Sequence, residues 1–185
     1  HQSFATNLHR LRQLLGYERA IQRQEKRLTL DDRYCWVDVW AFANILEQAD
    51  AQWKAGRIDN AVSLMEKAIE IYKGPFLAQE TERTWKISLS ELLRSKFLRS
   101  IEKLGQHWQE TNQYEDALDC YLKGLEVDDL AEEFYQGLMN CYRRLGRIAD
   151  ARKVYQRYRK KFFTLGLDPS AKIESVYKTI LSENR

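Results

Sequence analysis

Five pairs of residues of like character stand 34 positions apart in this 185-residue chain: Trp108 and Tyr142, Asn112 and Gly146, Tyr114 and Ile148, Ala117 and Ala151, Tyr121 and Tyr155. A fixed period of this length constrains the fold strongly, because each period is one unit that cannot bury its apolar side alone and must stack on its neighbour. Within the period, apolar residues recur at spacings of three and four, which is helical. Leu104, Gly105, Trp108, Tyr114, Ala117, Tyr121 and Leu125 make one copy, and Leu138, Tyr142, Ile148, Ala151 and Tyr155 the next. Asn112 and Gly146 mark the turn between two antiparallel helices in each copy. Small alanines where the helices cross let their axes approach, and aromatics fill the space beside them. Trp108, Tyr121, Tyr142 and Tyr155 are therefore expected in the core.

An earlier copy runs through Trp40, Phe42, Ile45, Leu46, Ala49 and Trp53 to a stop at Gly56, then through Ala61, Leu64, Met65, Ala68, Ile69 and Tyr72. It ends at Lys73–Gly74–Pro75, where glycine can cap and proline cannot continue. This copy precedes the next by 56 positions rather than 34, so about 22 residues are inserted. The insert begins Phe76–Leu77–Ala78–Gln79–Glu80–Thr81. A helix then carries Trp85, Leu89, Leu92, Leu93, Phe97 and Ile101 on one face, and it is expected to run directly into the following copy. Beyond the last copy, Asp168 and Pro169 start a closing helix with Ile173, Val176, Tyr177, Ile180 and Leu181 inward, followed by a frayed Ser182–Arg185.

The net charge of +3 conceals opposite blocks. Residues 1–33 balance at +3, residues 34–142 at −8, and residues 143–161 at +8, with nine cations against one acid. Arg143, Arg144, Arg147, Arg152, Arg157, Arg159 and Lys160 are thus a candidate interaction surface, since such blocks steer charged partners. No apolar run is long enough for a membrane span. Cys35, Cys120 and Cys141 are odd in number and contain no CxxC, so a disulfide scaffold is not expected and a reducing cytoplasm is the expected location. His1, His9 and His107 lack ligand spacing, the Asp128–Asp129 and Glu132–Glu133 pairs lack that of a calcium loop, and no phosphate-binding or hydrolase motif occurs. No enzyme, metal or cofactor is expected.

Residues 1–35 do not follow the repeat. Thr6–Leu15 reads as a helix with Leu8, Leu11, Leu14 and Leu15 in a stripe that Gly16 ends. Ile21 alternating with Arg23, and Leu28 with Leu30, read as a hairpin around Glu25–Lys26. A helix and a hairpin are too little to bury a core, so this stretch reads as the tail of a domain. The run Ser3-Phe4-Ala5-Thr6-Asn7-Leu8-His9-Arg10-Leu11-Arg12-Gln13-Leu14-Leu15-Gly16 resembles the recognition helix of response-regulator-type winged helices. That resemblance implies DNA-facing roles for Asn7, His9, Arg10 and Arg12, and a wing carrying Arg23, Lys26 and Arg27.

The repeat itself resembles the tetratricopeptide repeat. The order of parts is more specific: Trp36-Val37-Asp38-Val39-Trp40, then Tyr72-Lys73-Gly74-Pro75-Phe76-Leu77, the repeats, and Gly166-Leu167-Asp168-Pro169-Ser170. Over about residues 36–181 this resembles the bacterial transcriptional activator domain of antibiotic-regulatory-type regulators, with Lys73, Gln79 and Thr81 standing where relatives often have arginine and more acid. The resemblance implies an all-α solenoid of helix pairs at 36–185 behind a partial winged helix-turn-helix at 1–35. It also implies DNA contact through the intact N-terminal domain, and coupling to adjoining domains, to the transcription machinery or to a second copy in a homodimer. The alternative is a free-standing tetratricopeptide adaptor that grips a peptide.

Overall fold

A computed structural model describes residues 3–79 and 83–182. His1, Thr81 of the insert and the expected frayed end past Ser182 lie outside the described residues. The described elements are α1 (Phe4–Leu14), a 3-10 turn (Glu18–Ala20), β1 (Ile21–Gln24), β2 (Arg27–Leu30), α2 (Asp38–Lys54), α3 (Ile58–Ile71), α4 (Thr84–Glu110), α5 (Tyr114–Val127), α6 (Glu132–Arg144), α7 (Ile148–Thr164) and α8 (Ala171–Ser182). This is the expected tetratricopeptide-like arrangement of helix pairs with a short N-terminal helix and hairpin. The chain divides after Tyr72 into two compact units.

In the first unit, the Ser3 hydroxyl accepts from the Thr6 N–H (3.4 Å) and caps α1. Gly16, at φ 75°, ends the helix in the left-handed conformation glycine adopts most easily. β1 and β2 pair antiparallel with Ile21 opposite Leu30 and Gln24 opposite Arg27. The two-residue connection puts Glu25 at φ 53°, the positive value that tight hairpins demand at their first central residue. The helix pair α2–α3 closes on Phe42, Leu46 and Ala49 from one side and Ala61, Met65, Ala68 and Ile69 from the other, all buried. Trp40, which the period groups with them, is exposed.

In the second unit, α4, α6 and α8 form one row, and α5 and α7 pack against it. The 34-residue period has a direct structural counterpart in the turns. The Gln113 N–H donates to Trp108 O at 2.8 Å, and the Arg147 N–H donates to Tyr142 O at 2.8 Å, an identical bond one period later. Asn112 (φ 62°) and Gly146 (φ 70°) hold the left-handed position of each turn, which closes helix ends by satisfying their last carbonyls. Ile101, Leu104, Phe134, Tyr135, Leu138, Met139 and Tyr158 are buried almost completely between the rows. Each such side chain contributes about 1.5–3 kcal/mol through burial.

The insert helix does continue into the repeat, giving a 27-residue α4. Its apolar residues, however, do not share one buried face. Leu93, Phe97 and Ile101 are buried while Trp85 and Leu92 are exposed. At about 100° per residue, Trp85 and Leu92 fall on a stripe roughly a quarter-turn from Leu93 and Phe97. The closing helix α8 packs through Ile173 and Ile180, and Tyr177 stacks on Tyr155 with ring centroids 3.7 Å apart. Its start lies at Ser170, whose hydroxyl accepts from the Ile173 N–H (3.4 Å), two residues later than Asp168.

Candidate nucleic-acid interface and basic surfaces

Helix α1 and the hairpin are tied together by side chains that carry charge. Arg12 donates from Nε (3.1 Å) and Nη2 (2.7 Å) to the single carbonyl of Ile21 at the start of β1. On the same side Leu8 is buried with Ala20 and Ile21. The guanidinium of Arg23 sits 5.5 Å from the ring centre of Phe4, a cation–π contact between strand and helix. Arg12 is therefore held inside this small assembly, whereas Asn7, His9 and Arg10 are exposed.

The exposed residues do not form one polar face. Thr6, Arg10 and Gln13, at helical spacing, share one arc with His9 at its edge. Asn7 shares another with Leu11 and Leu14 at i+4 and i+7. Leu14 is 83% exposed and Leu11 48%, so much of the apolar stripe of α1 faces outward. On the hairpin, Arg23 lies on the side of Ile21 facing α1. Arg27 lies on the other side, and Lys26 at the tip. All three are exposed.

Asp31 fastens the base of the hairpin, a role not apparent in the sequence pattern. Its buried carboxylate accepts from Gln22 Nε2 (2.5 Å), from Arg33 Nη2 (2.7 Å) and Nε (2.9 Å), and from the Arg33 backbone N–H (3.1 Å). Its own N–H donates to Ala20 O at 2.9 Å. The hydrogen bonds from Arg33, above all, hold the Asp31 carboxyl down at about 2. The signal in the sequence is local: an Asp two residues before an N–H it can capture, directly after a strand.

The cations of the basic block of residues 143–161 do not form one patch. Arg143 and Arg144 border an open groove of about 400 Å³ with Gln109, Asn112 and Asn140. Arg147 lies 4.8 Å from the Tyr142 ring centre and pairs with Asp150 (3.0 Å) and Glu115 (3.4 Å). Arg159 borders a second groove, of about 500 Å³, beside Tyr155, Tyr177 and Lys178. Arg152 is half-buried with its Nε enclosed. Arg157 and Lys160 project outward from α7.

Among the described residues no group of three or more His, Cys, Asp or Glu side chains could hold a metal. No helix of the described residues is long and apolar enough to cross a membrane. The Cys141 thiol is fully buried, and burial pushes it up to about 12, away from nucleophilic reactivity.

No curated protein matches the sequence. Among solved structures, the chain is similar to the C-terminal TPR-containing domain of a Plasmodium falciparum protein assigned as an FK506-binding protein. The TM-score is 0.54 and the identity 14%, over 81% of this chain and 94% of that one. At this identity the likeness is one of fold alone, a helix-repeat scaffold. The family model of the bacterial transcriptional activator domain matches residues 37–181. That span takes in every helix pair and the closing helix, and this chain belongs to the bacterial transcriptional activator domain family.

Proposed function

We propose that residues 36–185 are the regulatory and protein-interaction domain of a DNA-binding transcription regulator, and that residues 1–35 are the end of its winged helix-turn-helix domain. The observation that carries this reading is the locking of α1 to β1 by Arg12. It fixes a helix with exposed polar residues beside a hairpin whose cations line its sides and tip, the relation of a recognition helix to a wing. The outward apolar residues Leu11 and Leu14 fit a helix that other helices of a complete DNA-binding domain would cover. His9 and Arg10 on α1 would face the groove, and Arg23, Lys26 and Arg27 the phosphate backbone. Asn7, on the arc of Leu11 and Leu14, would lie at the edge of the covered side. Arg12 serves as the brace. The repeat domain would pass signals to adjoining domains or to the transcription machinery, in the cytoplasm.

The test is selection of duplexes from a random pool by the intact regulator, followed by titration of variants on the enriched sequence. Lys26→Ala with Arg27→Ala should weaken binding about equally on all sequences and lower the salt slope by about 1 for each phosphate no longer neutralised. His9→Ala with Arg10→Ala should weaken binding to the enriched sequence by about 10-fold or more. A pool with no enriched sequence, and variants without effect, would favour the adaptor reading, in which a peptide occupies the groove bordered by Arg143 and Arg144.

A further inference from the structure

The outer faces of the two consecutive repeats in the second unit carry opposite charge. On α5 the exposed stripe at helical spacing is Glu115, Asp119, Leu122 and Glu126. On α7 the residues 34 positions later are Ala149, Lys153, Gln156 and Lys160. The repeat sets counterparts at the same height on the two outer helices, so the sign reverses from Asp119 to Lys153 and again from Glu126 to Lys160. Arg157, also exposed, stands 34 positions after the exposed Lys123, so at that height both helices carry a cation and the reversal is confined to the other two positions. In the first unit α3 carries Asp59, Glu66 and Glu70, all exposed, at its corresponding positions. The inversion is therefore peculiar to α7.

Within the chain this complementarity is satisfied only at the ends. Arg147 reaches Glu115 at 3.4 Å, and Lys161 pairs with Asp129 beyond the end of α5. Lys153 pairs with Asp150 on its own helix (3.0 Å). Between those ends Asp119, Glu126, Arg157 and Lys160 are exposed and form no ion pair among the described residues.

The geometry points to a second copy of this chain as the partner of this face. A two-fold axis in the contact plane, parallel to α5 and α7 and midway between them, lays α7 of each copy on α5 of the other. A rotation about such an axis preserves height along the helices. It therefore sets Lys153 opposite Asp119 of the second copy and Lys160 opposite Glu126, and symmetry repeats both pairs in reverse. Leu122, 38% exposed in the middle of the acidic stripe, then faces Gln156 and excludes water between the flanking charges. Two like faces would repel; a face that is half acidic and half basic in this order matches itself. The inference uses only the second unit and is independent of any role of α1 in DNA binding.

Sedimentation velocity on the whole chain tests it. Dimer mass is expected at about 50 mM salt and monomer mass at about 500 mM, because exposed pairs are screened within about one Debye length. Two variants give the decisive comparison: Lys153→Glu with Lys160→Glu, which makes both faces acidic, and Asp119→Lys with Glu126→Lys, which makes both basic. Each alone should be monomeric at low salt, and an equal mixture of the two should form dimers. Circular dichroism checks that these exposed substitutions leave the helices intact. Monomer mass for the unaltered chain at low salt, a dimer persisting in either variant alone, or a mixture that fails to associate would each overturn the proposal. The last result would include the case where α3 of another copy, or a nucleic acid, takes the α7 face. DNA binding left unchanged by the α1 and hairpin variants, with these masses as expected, would count against the transcription-factor reading alone.

Discussion

The ring of Tyr121 lies so close to Gly137 that a Cβ on the glycine would stand 2.4 Å from the ring edge. Gly105, on the other helix of the same row, faces the ring equally closely, at 2.6 Å. Tyr121 is thus inserted from α5 between α4 and α6, and both neighbours must lack a side chain to admit it. Its hydroxyl, at the far end, accepts from Gln109 Nε2 at 2.9 Å. The step from one repeat to the next is set by this one aromatic and two glycines.

Gly137→Ala should therefore destabilise the second unit although alanine favours helix. Overpacking around a ring that is only 3% exposed costs about 1–3 kcal/mol beyond the gain of up to about 1 kcal/mol in helix propensity. Urea denaturation measures the difference. Adding Tyr121→Leu to Gly137→Ala should recover part of the loss, whereas Tyr121→Leu alone should destabilise by leaving a cavity. A Gly137→Ala chain as stable as the original would show that the ring can move aside.

The three thiols should separate by rate. Cys35 is partly exposed, while Cys120 and Cys141 are buried, and burial holds the Cys141 thiol at about 12. In native protein at pH 8 a thiol reagent should label Cys35 first and Cys141 only as fast as the second unit opens. In denaturant all three should react together. Mass spectrometry after timed quenching reads the order, and early labelling of Cys141 would mean that the core between α5 and α6 opens readily.

The buried Asp31 carboxylate makes the base of the hairpin sensitive to acid. Its value is lowered from 3.8 to about 2 in the folded chain, so its contribution is complete above the unfolded value and is lost as pH falls from about 4 through about 2. Arg33→Gln removes the main cause of that lowering. The Asp31 titration midpoint, followed by carboxyl NMR, should then move up toward the ordinary carboxylate range. The hairpin amides should lose protection at a correspondingly higher pH. An unchanged midpoint would show that Gln22 and the backbone N–H suffice to hold the charge.

What is legible in the sequence is whatever the backbone itself demands. The left-handed turn positions accept little besides Gly56, Asn112 and Gly146, so they recur visibly, and the small residues Ala117 and Ala151 recur for the same steric reason. Buried and exposed arcs of a helix are harder to tell apart when both are apolar, which is why periodicity alone groups Trp85 and Leu92 with Leu93 and Phe97. Side chains whose role depends on a partner distant in sequence are not legible. Arg12 reads as one more cation in a basic helix until the Ile21 carbonyl is seen beside it. The basic block of 143–161 is visible as composition, but its dispersal depends on which way each residue of α6 and α7 turns.

Arg12→Ala separates the brace from the binding residues. Two hydrogen bonds from a charged, half-buried guanidinium to Ile21 O disappear, at a cost of about 1–2 kcal/mol. The amide protons of β1 and β2 should then exchange faster by about tenfold, about 1.4 kcal/mol being one decade, while those of α5 and α6 keep their rates. His9→Ala removes a side chain that is exposed on α1 and should leave hairpin exchange unchanged. Hydrogen exchange with mass spectrometry on the three chains distinguishes the cases. If Arg12→Ala leaves β1 and β2 as protected as before, Leu8 and the Arg23–Phe4 contact are enough to hold helix and hairpin together, and Arg12 is free to face a nucleic acid.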